Sequence, residues 1–223
     1  MRIGDKNYTR AEILRRVGNV SQVASARHVV LADGRAKGVA AIDFDTGAGL
    51  RFTVLPDRGM DISAASYKGC NLVYLTPNGE VHPAYYEPQG AGWLRTFFGG
   101  LLTTCGLTTI GAPGRDGDED LGLHGRYAAI PARQVCDRSR WEGDDYVLEA
   151  SGVMDECQLF GDKLRLTRTV SSLAGFSKTQ RLRTAATQSA TSLAVSFSMA
   201  CAISSISKTS TSGPIFARNE TPS

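Results

Sequence analysis

The sequence predicts an all-β protein, and three observations support this fold class. Several short segments alternate between apolar and polar residues, with the period of two that a half-buried strand produces. Turn residues, chiefly glycine with proline and aspartate, separate these segments. Only one segment carries a clear helix pattern. Many short strands with turns between them indicate an antiparallel sandwich or barrel rather than an α/β fold.

The one predicted helix lies near the beginning of the chain, at Arg10–Val17. Thr9 and Glu12 stand three positions apart before an apolar face, which is the spacing of a capping box. Gly18 follows the last turn, where a glycine ends a helix readily.

The predicted strands begin with a hairpin, Val39–Asp45 and Leu50–Leu55, which turns through Thr46-Gly47-Ala48-Gly49. Two further segments, Ile62–Tyr67 and Leu72–Leu75, extend this hairpin into a meander. Further strands are predicted at Ala128–Val135, Tyr146–Val153 and Lys163–Val170.

The composition of the chain changes near Phe176. From there to Ser223 the sequence is rich in Ser, Thr and Ala, and Glu220 is its only acidic residue. We therefore expect residues 1–175 to form the sandwich domain and residues 176–223 to form an atypical tail that is disordered or non-native. Within this tail, Ser189–Ala200 fits either a weak helix or a strand.

Composition and charge argue against several classes of function. The formal net charge is +3 and the basic residues are scattered, so a nucleic-acid partner is not expected. No apolar run approaches the length of a membrane span and no secretory leader is recognisable, so we expect a cytoplasmic protein with no membrane partner. Neither a dinucleotide-binding glycine motif nor a P-loop occurs, and no cofactor is expected.

Five cysteines are spread along the chain without a C-x-x-C pair, at Cys70, Cys105, Cys136, Cys157 and Cys201. An odd number with wide spacing argues against a disulfide framework and favours reduced thiols, mostly buried as small apolar residues.

A metal site is not expected either. His28, His82 and His124 are far apart in the sequence and none belongs to a spaced ligand motif. The alternating aspartates at 116, 118 and 120 suggest a calcium loop, but the sixth position is Leu121 and the twelfth is Tyr127. The calcium-loop template therefore fails, and a solvated loop is the better interpretation.

The candidate functional segment runs from Gly90 to Arg126. Arg95 stands within an apolar and aromatic run, so its guanidinium needs a protein carboxylate, a polar ligand or a position at the surface. His124 lies between Gly122 and Gly125, which let the backbone come close to whatever the imidazole touches. A structural or merely exposed histidine remains the alternative.

A second candidate is the turn between two predicted strands that contains Asp57 and Arg58. Adjacent opposite charges at a bend bounded by proline and glycine either solvate the turn or line a site.

Three blocks of sequence carry a family resemblance: Leu55–Ile62, Gly92–Leu107 and Gly122–Arg126. In this order they resemble the uncharacterised bacterial branch of the aldose 1-epimerase (galactose mutarotase-like) superfamily, over roughly residues 20–175. The resemblance implies an antiparallel β-supersandwich, incomplete at the C-terminus, whose concave face binds a small-molecule sugar without a cofactor.

The same resemblance implies roles for individual residues. In mutarotases an arginine and the histidine of a Leu-His-Gly motif line the pocket and hydrogen-bond the sugar, and Arg95 and His124 occupy the matching positions. His124 is therefore expected to be catalytic, and Arg95 and His124 to bind the substrate. Asp57, Arg58 and Arg126 belong to the same blocks and are expected to line or support the pocket.

The chain departs from this family after His124. Mutarotases use a second histidine as general acid and a glutamate near the C-terminus as general base. No histidine follows His124 here, and Glu220 stands in a different context. We therefore expect a chain that is truncated or frame-shifted after about residue 175.

The expected function is that of an aldose 1-epimerase-like carbohydrate-binding protein, which interconverts sugar anomers by acid/base ring opening when intact. The alternatives are a non-catalytic sugar-binding module and an inactive fragment. The sequence leaves the oligomeric state open.

Overall fold

Two antiparallel sheets pack face to face in the computed structural model, which describes residues 1–3, 6–159, 161, 163–175, 182–190 and 196–197. The first sheet has five strands in sequential order: β3 (Ser25–Val30), β4 (Ala40–Asp45), β5 (Leu50–Leu55), β6 (Asp61–Tyr67) and β7 (Cys70–Asn71). The structure confirms the predicted all-β antiparallel class.

The second sheet has six strands in the described residues, in the order β12-β14-β15-β16-β17, with β13 also paired to β14. Its strands are β12 (Arg133–Asp137), β13 (Arg140–Glu142), β14 (Asp145–Cys157), β15 (Lys163–Leu173), β16 (Leu182–Ala190) and β17 (Ser196–Phe197). β14 and β15 are the longest strands and pair from Val147 with Leu173 to Cys157 with Lys163.

The remaining elements are short. Three two-stranded ribbons pair β1 (Arg2–Ile3) with β2 (Lys6–Asn7), β8 (Tyr74–Leu75) with β9 (Gly99–Gly100), and β10 (Gly114–Asp116) with β11 (Glu119–Leu121). Single 3₁₀ turns occur at Val20–Gln22, Gly34–Ala36, Pro56–Arg58, Pro83–Tyr85, Gly92–Arg95 and Tyr127–Ala129. None of the helices among the described residues is both long enough and apolar enough to cross a membrane.

The predicted helix forms as α1 (Arg10–Leu14), with the predicted capping box at its start. The Glu12 amide donates to Thr9 Oγ1 at 3.2 Å, and the Thr9 amide donates to Glu12 Oε2 at 2.8 Å. The helix is shorter than predicted because its last turn tightens, with the Arg16 amide bonded to Ile13 O at 2.8 Å.

The core lies between the inner faces of the two sheets. Phe44 on β4 and Phe52 on β5 are directly opposed in register, and their rings stack with centroids 4.5 Å apart. The second sheet contributes buried side chains that include Leu148, Met154 and Val170. Burying these apolar faces together is what stabilises a two-layer sandwich.

The β4–β5 turn requires glycine at position 47. Gly47 has a φ of +68°, and a Cβ atom there would lie 1.9 Å from the carbonyl oxygen of Val23. The turn therefore packs directly against Val23, in the segment that precedes β3.

One predicted strand, Ala128–Val135, is wrong over its first half. Tyr127–Ala129 forms a 3₁₀ turn, and the strand begins only at Arg133. The intervening backbone bonds instead to the Pro56–Arg58 turn, since Gly59 N donates to Ile130 O at 3.2 Å and Ala132 N donates to Pro56 O at 2.9 Å. These bonds replace the ladder that a strand would need.

The structure differs from the sequence prediction in two further respects, the edge strand β3 and the exposure of the cysteines. β3 was not predicted, because its burial does not alternate cleanly along the strand. The prediction that the cysteines are mostly buried is wrong for Cys70, Cys105, Cys136 and Cys157, all of which are exposed. Cys201 lies outside the described residues.

The second sheet continues past residue 175, where the sequence stops alternating. β16 pairs with β15 from Leu164 opposite Ala190 to Ser172 opposite Leu182, and β17 pairs with β16. The rest of the predicted tail lies outside the described residues. The expectation that this tail is atypical stays a prediction.

A buried ion pair joins the two sheets. Arg168 on β15 donates from Nη1 to Asp61 Oδ1 at 2.8 Å, where Asp61 is the first residue of β6. The same nitrogen contacts Gly59 O at 2.7 Å and Thr104 Oγ1 at 2.7 Å. The Thr104 amide donates to Asp61 Oδ2 at 2.9 Å, so one carboxylate organises three segments of the chain.

We expect Arg168→Met to lower the free energy of unfolding by about 3–5 kcal/mol, because it leaves the buried Asp61 carboxylate without its cation. Arg51→Met is the matched control, since Arg51 forms an exposed pair with Asp45 at 2.8 Å and its loss should cost less than about 1 kcal/mol. Urea unfolding monitored by circular dichroism measures both. Equal losses in the two variants would contradict the inter-sheet role of Arg168.

Candidate functional site

His124 occupies a loop in which its backbone is held in the left-handed region. Its φ is 58°, an uncommon value for a residue with a side chain. Two backbone hydrogen bonds hold it there, from His124 N to Gly111 O at 3.2 Å and from Gly106 N to His124 O at 3.0 Å. A strained backbone of this kind persists only where the surrounding structure holds it in place. Residues with such strain are often found at functional sites.

The imidazole of His124 is fixed in one tautomer. The Gly111 amide donates to Nδ1 at 3.1 Å, so in the neutral ring the proton resides on Nε2. Nε2–H has no hydrogen-bond partner among the described residues. The half-buried ring therefore presents a single, oriented N–H donor to a ligand.

Trp93 packs against this imidazole. The two ring centroids are 4.7 Å apart with an interplanar angle of 67°, an edge-to-face contact, and Phe97 stacks on Trp93 at 4.8 Å. Trp93 is 6% exposed, and within the described residues its indole Nε1–H is buried without a hydrogen-bond partner. A buried donor that lacks a partner is uncommon in proteins.

Arg95 lies at the surface beside this cluster. Its Nε is 3.1 Å from Glu87 Oε2, and its side chain is 70% exposed. The sequence left open whether Arg95 meets a protein carboxylate, meets a polar ligand or lies at the surface. The structure shows a carboxylate partner, Glu87, at the surface. Arg95 ends the same 3₁₀ turn that carries Trp93, the residue whose ring contacts His124.

Arg58 is buried and bonded to the protein backbone. Its guanidinium donates to Ala128 O at 2.6 Å, Val81 O at 2.7 Å and Thr96 O at 3.1 Å, and it lies over the ring of Phe98. Burial lowers the pKa of this guanidinium below its ordinary value, and Asp61 opposes that effect. These contacts tie Arg58 to three separate segments of the backbone.

Asp57 is also engaged by the backbone. Its Oδ2 accepts the Ala40 amide at 2.7 Å, which ties the Pro56–Arg58 turn to β4. The sequence left open whether Asp57 and Arg58 solvate a turn or line a site. Their hydrogen bonds show that both fix the turn to its neighbours.

Arg126 bridges two acidic side chains. Its Nη2 is 3.0 Å from Glu119 Oε1 and its Nη1 is 3.4 Å from Glu156 Oε1. Tyr86 closes the same corner, because its hydroxyl donates to Gly125 O at 2.9 Å. Arg126 is therefore close to His124 in the chain and paired with a glutamate from β14.

Two buried polar groups lie next to Arg126: the carboxylate of Glu156 and the hydroxyl of Tyr127. Within the described residues, Glu156 Oε2 and the Tyr127 hydroxyl are both buried without a hydrogen-bond partner. Burial raises the pKa of Glu156 above its ordinary value, while Arg126 lowers it. Burial, and next Glu156, raise the pKa of Tyr127 well above its ordinary value.

The structure thus brings His124 and Arg126 together with Trp93, Tyr86 and Glu156, and places Arg95 at the edge of this group. Sequence reasoning did not single out Glu156, Tyr86 or Tyr127. Glu156 lies on β14, beyond the end of the predicted strand Tyr146–Val153, and nothing in the local sequence marks its contact with Arg126. No group of three metal-ligating side chains occurs among the described residues.

A separate groove of about 510 Å³ lies on the outer face of the first sheet. Arg27, Asp43, Arg51 and Asn71 contribute to its lining, and the charges of its arginines and aspartates compensate. None of the residues predicted for the sugar site lines this groove.

The chain shares its fold with solved structures of other proteins. The chain has the antiparallel β-sandwich fold of a candidate aldose 1-epimerase from Klebsiella pneumoniae subsp. pneumoniae, with a TM-score of 0.65 and 24% sequence identity over 76% of this chain. A galactose 1-epimerase from Lactobacillus acidophilus also matches, with a TM-score of 0.44 and 15% identity over 78% of this chain.

The chain belongs to the family described as a domain of unknown function (DUF4432), whose sequence profile matches residues 36–183. No curated protein matches it. The chain spans 46% of the Klebsiella protein and 51% of the Lactobacillus protein, about half the length of each.

Gly122 offers a test of how tightly the His124 loop is held. A Cβ atom at position 122 would lie 2.0 Å from the Pro88 carbonyl oxygen, whereas one at Gly114 would meet no atom within 4 Å. We expect Gly122→Ala to cost about 1–3 kcal/mol of stability and to move the imidazole resonances of His124.

Gly114→Ala is the control and should change neither quantity by more than about 0.5 kcal/mol or a small local shift. Chemical denaturation and NMR of the histidine rings provide the measurements. Unchanged His124 resonances in a folded Gly122→Ala protein would show that this contact does not position the ring.

Proposed function

We propose that the protein binds a sugar at the His124 site and interconverts its anomers. The observation that carries the proposal is the His124 imidazole, which is fixed as an Nε2–H donor and packed against Trp93. The likeness in fold to a candidate aldose 1-epimerase adds support, since aldoses carry the hydroxyl groups that such donors bind.

The donors at the site suit a neutral, hydroxyl-rich ligand. His124 offers Nε2–H. The exposed guanidinium of Arg95, whose Nε lies 3.1 Å from Glu87 Oε2, carries five N–H donors and can also bond ligand oxygens. Arg126 is already paired with the carboxylate of Glu119, so the site does not concentrate free positive charge for an anion. The chemistry therefore favours an unmodified sugar over a sugar phosphate.

Anomer exchange needs little from a protein beyond orientation and proton transfer. The anomeric hydroxyl loses a proton as the ring C–O bond opens, the ring oxygen gains a proton, and the ring closes again on either face. A donor fixed at a sugar oxygen reduces the entropy that this alignment costs. His124 is well suited to the orienting role, because its strained backbone and its bond to Gly111 N–H fix the ring.

We expect His124→Ala to weaken binding of an aldohexose about five-fold, since it removes one hydrogen bond worth about 1 kcal/mol. His28→Ala is the matched control, because His28 is an exposed histidine on β3 whose loss should leave binding unchanged. Saturation-transfer NMR with glucose, galactose and mannose measures the affinities. A wild-type protein that binds none of these aldoses, or a His124→Ala protein that binds as the wild type does, would contradict the proposal.

A further inference from the structure

Glu156 is the residue that the proposed reaction does not yet use. It lies near the end of β14, and its side chain is 14% exposed in its pair with Arg126. Its Oε2 is closed off from solvent and has no hydrogen-bond partner among the described residues. Oε1, beside Arg126, is therefore the oxygen left to exchange a proton with a ligand.

The surroundings of Glu156 place it beside the sugar site. Arg126, its ion-pair partner, follows His124 by two positions, and Tyr86 donates to Gly125 O between them. Besides burial, which raises the pKa of Tyr86 most, Arg126 lowers this pKa and Glu156 raises it, as expected of three groups that lie in one corner. His124 directly precedes Gly125 in this loop.

We propose that Glu156 is the general acid of the site, an inference that rests on the proposed function. In the forward step the protonated carboxyl gives its proton to the ring oxygen as the C1–O5 bond breaks and its electron pair moves to O5. Solvent water accepts the proton of the anomeric hydroxyl as the C1=O1 bond forms. After rotation about C1–C2, ring closure returns the O5 proton to Glu156, and water returns a proton to O1.

The ionisation of Glu156 agrees with this geometry. Its pKa is raised by burial, which is the largest effect, and by the negative charge of Glu119, while Arg126 lowers it. The groups that face it in the described structure are Arg126, Glu119, Tyr86 and Tyr127. Because a raised pKa keeps the carboxyl protonated to a higher pH, its acid contribution is present below that pKa and is lost as the pH rises through it.

The chain provides a matched pair of variants. Glu156→Gln keeps the shape of the side chain and removes its titratable proton, and Glu119→Gln removes the other carboxylate that contacts Arg126. Glu119 is 46% exposed and forms the shorter of the two contacts. If Glu156 only positioned Arg126, the two variants would behave alike.

The experiment measures anomer exchange by NMR for each aldose that the wild-type protein binds, from pH 4 to 8, at saturating sugar. A positioned general acid accelerates a reaction roughly 100-fold or more. Glu156→Gln should therefore slow anomer exchange by that factor, and its rate should no longer fall as the pH rises through the pKa of Glu156. Glu119→Gln should retain the exchange rate at low pH and a falling limb of the pH profile. This limb should move to lower pH, because the variant lacks the negative charge that, together with burial, raises the pKa of Glu156. Titration of the glutamate carboxyl carbons in the wild-type protein should show the pKa of Glu156 above the ordinary value of a glutamate.

Each other outcome is decisive. If the wild-type protein binds no sugar, the proposed function is wrong and this inference is wrong with it. If it binds without exchanging anomers, it is a sugar-binding module and Glu156 is not an acid. If it exchanges anomers and Glu156→Gln does so equally fast, only the assignment of Glu156 is wrong. A change in affinity alone would show that Glu156 only positions Arg126.

Discussion

The Asp61–Arg168 pair is the interaction on which the sandwich depends. A carboxylate without access to water is stable only when it is paired and hydrogen-bonded, and Asp61 receives Arg168 together with the amide and hydroxyl of Thr104. The pair joins the first sheet to the second. It also anchors the segment around Thr104, which leads into the His124 loop.

A second buried arginine gives the neighbouring turn its shape. Arg58 donates to three backbone carbonyls from separate segments of the chain, which an apolar residue of the same size could not satisfy. Together, Arg58 and Arg168 turn the Pro56–Asp61 segment into the structural centre of the molecule. The charged residues of this segment therefore hold the framework, whereas the residues of the proposed sugar site come from Trp93–Arg95 and from His124–Arg126.

Much of the fold could be predicted from local patterns. The capping box at Thr9, the hairpin around Gly47 and the alternating segments of β6, β14 and β15 are encoded by neighbouring residues. The half-strand at Ala128 was mispredicted because its backbone bonds to a turn that is distant in sequence. β3 was missed because an edge strand needs no clean alternation.

The site was predictable to a smaller extent. His124 and Arg126 follow from the family resemblance, and a close approach of Trp93 to His124 is consistent with their shared segment. The contact between Arg126 and Glu156 depends on how two sheets and a loop come together. No periodicity or spacing in the sequence carries that information, because the two residues are 30 positions apart.

The left-handed backbone at His124 limits which residues evolution could place there. Glycine, asparagine and aspartate accept that conformation most readily, whereas β-branched and bulky residues resist it. Among the tolerated residues, only histidine combines a ring that packs on Trp93 with a second nitrogen that accepts the Gly111 amide. A replacement at this position would thus have to keep the left-handed backbone, the packing on Trp93 and the acceptor for the Gly111 amide at the same time.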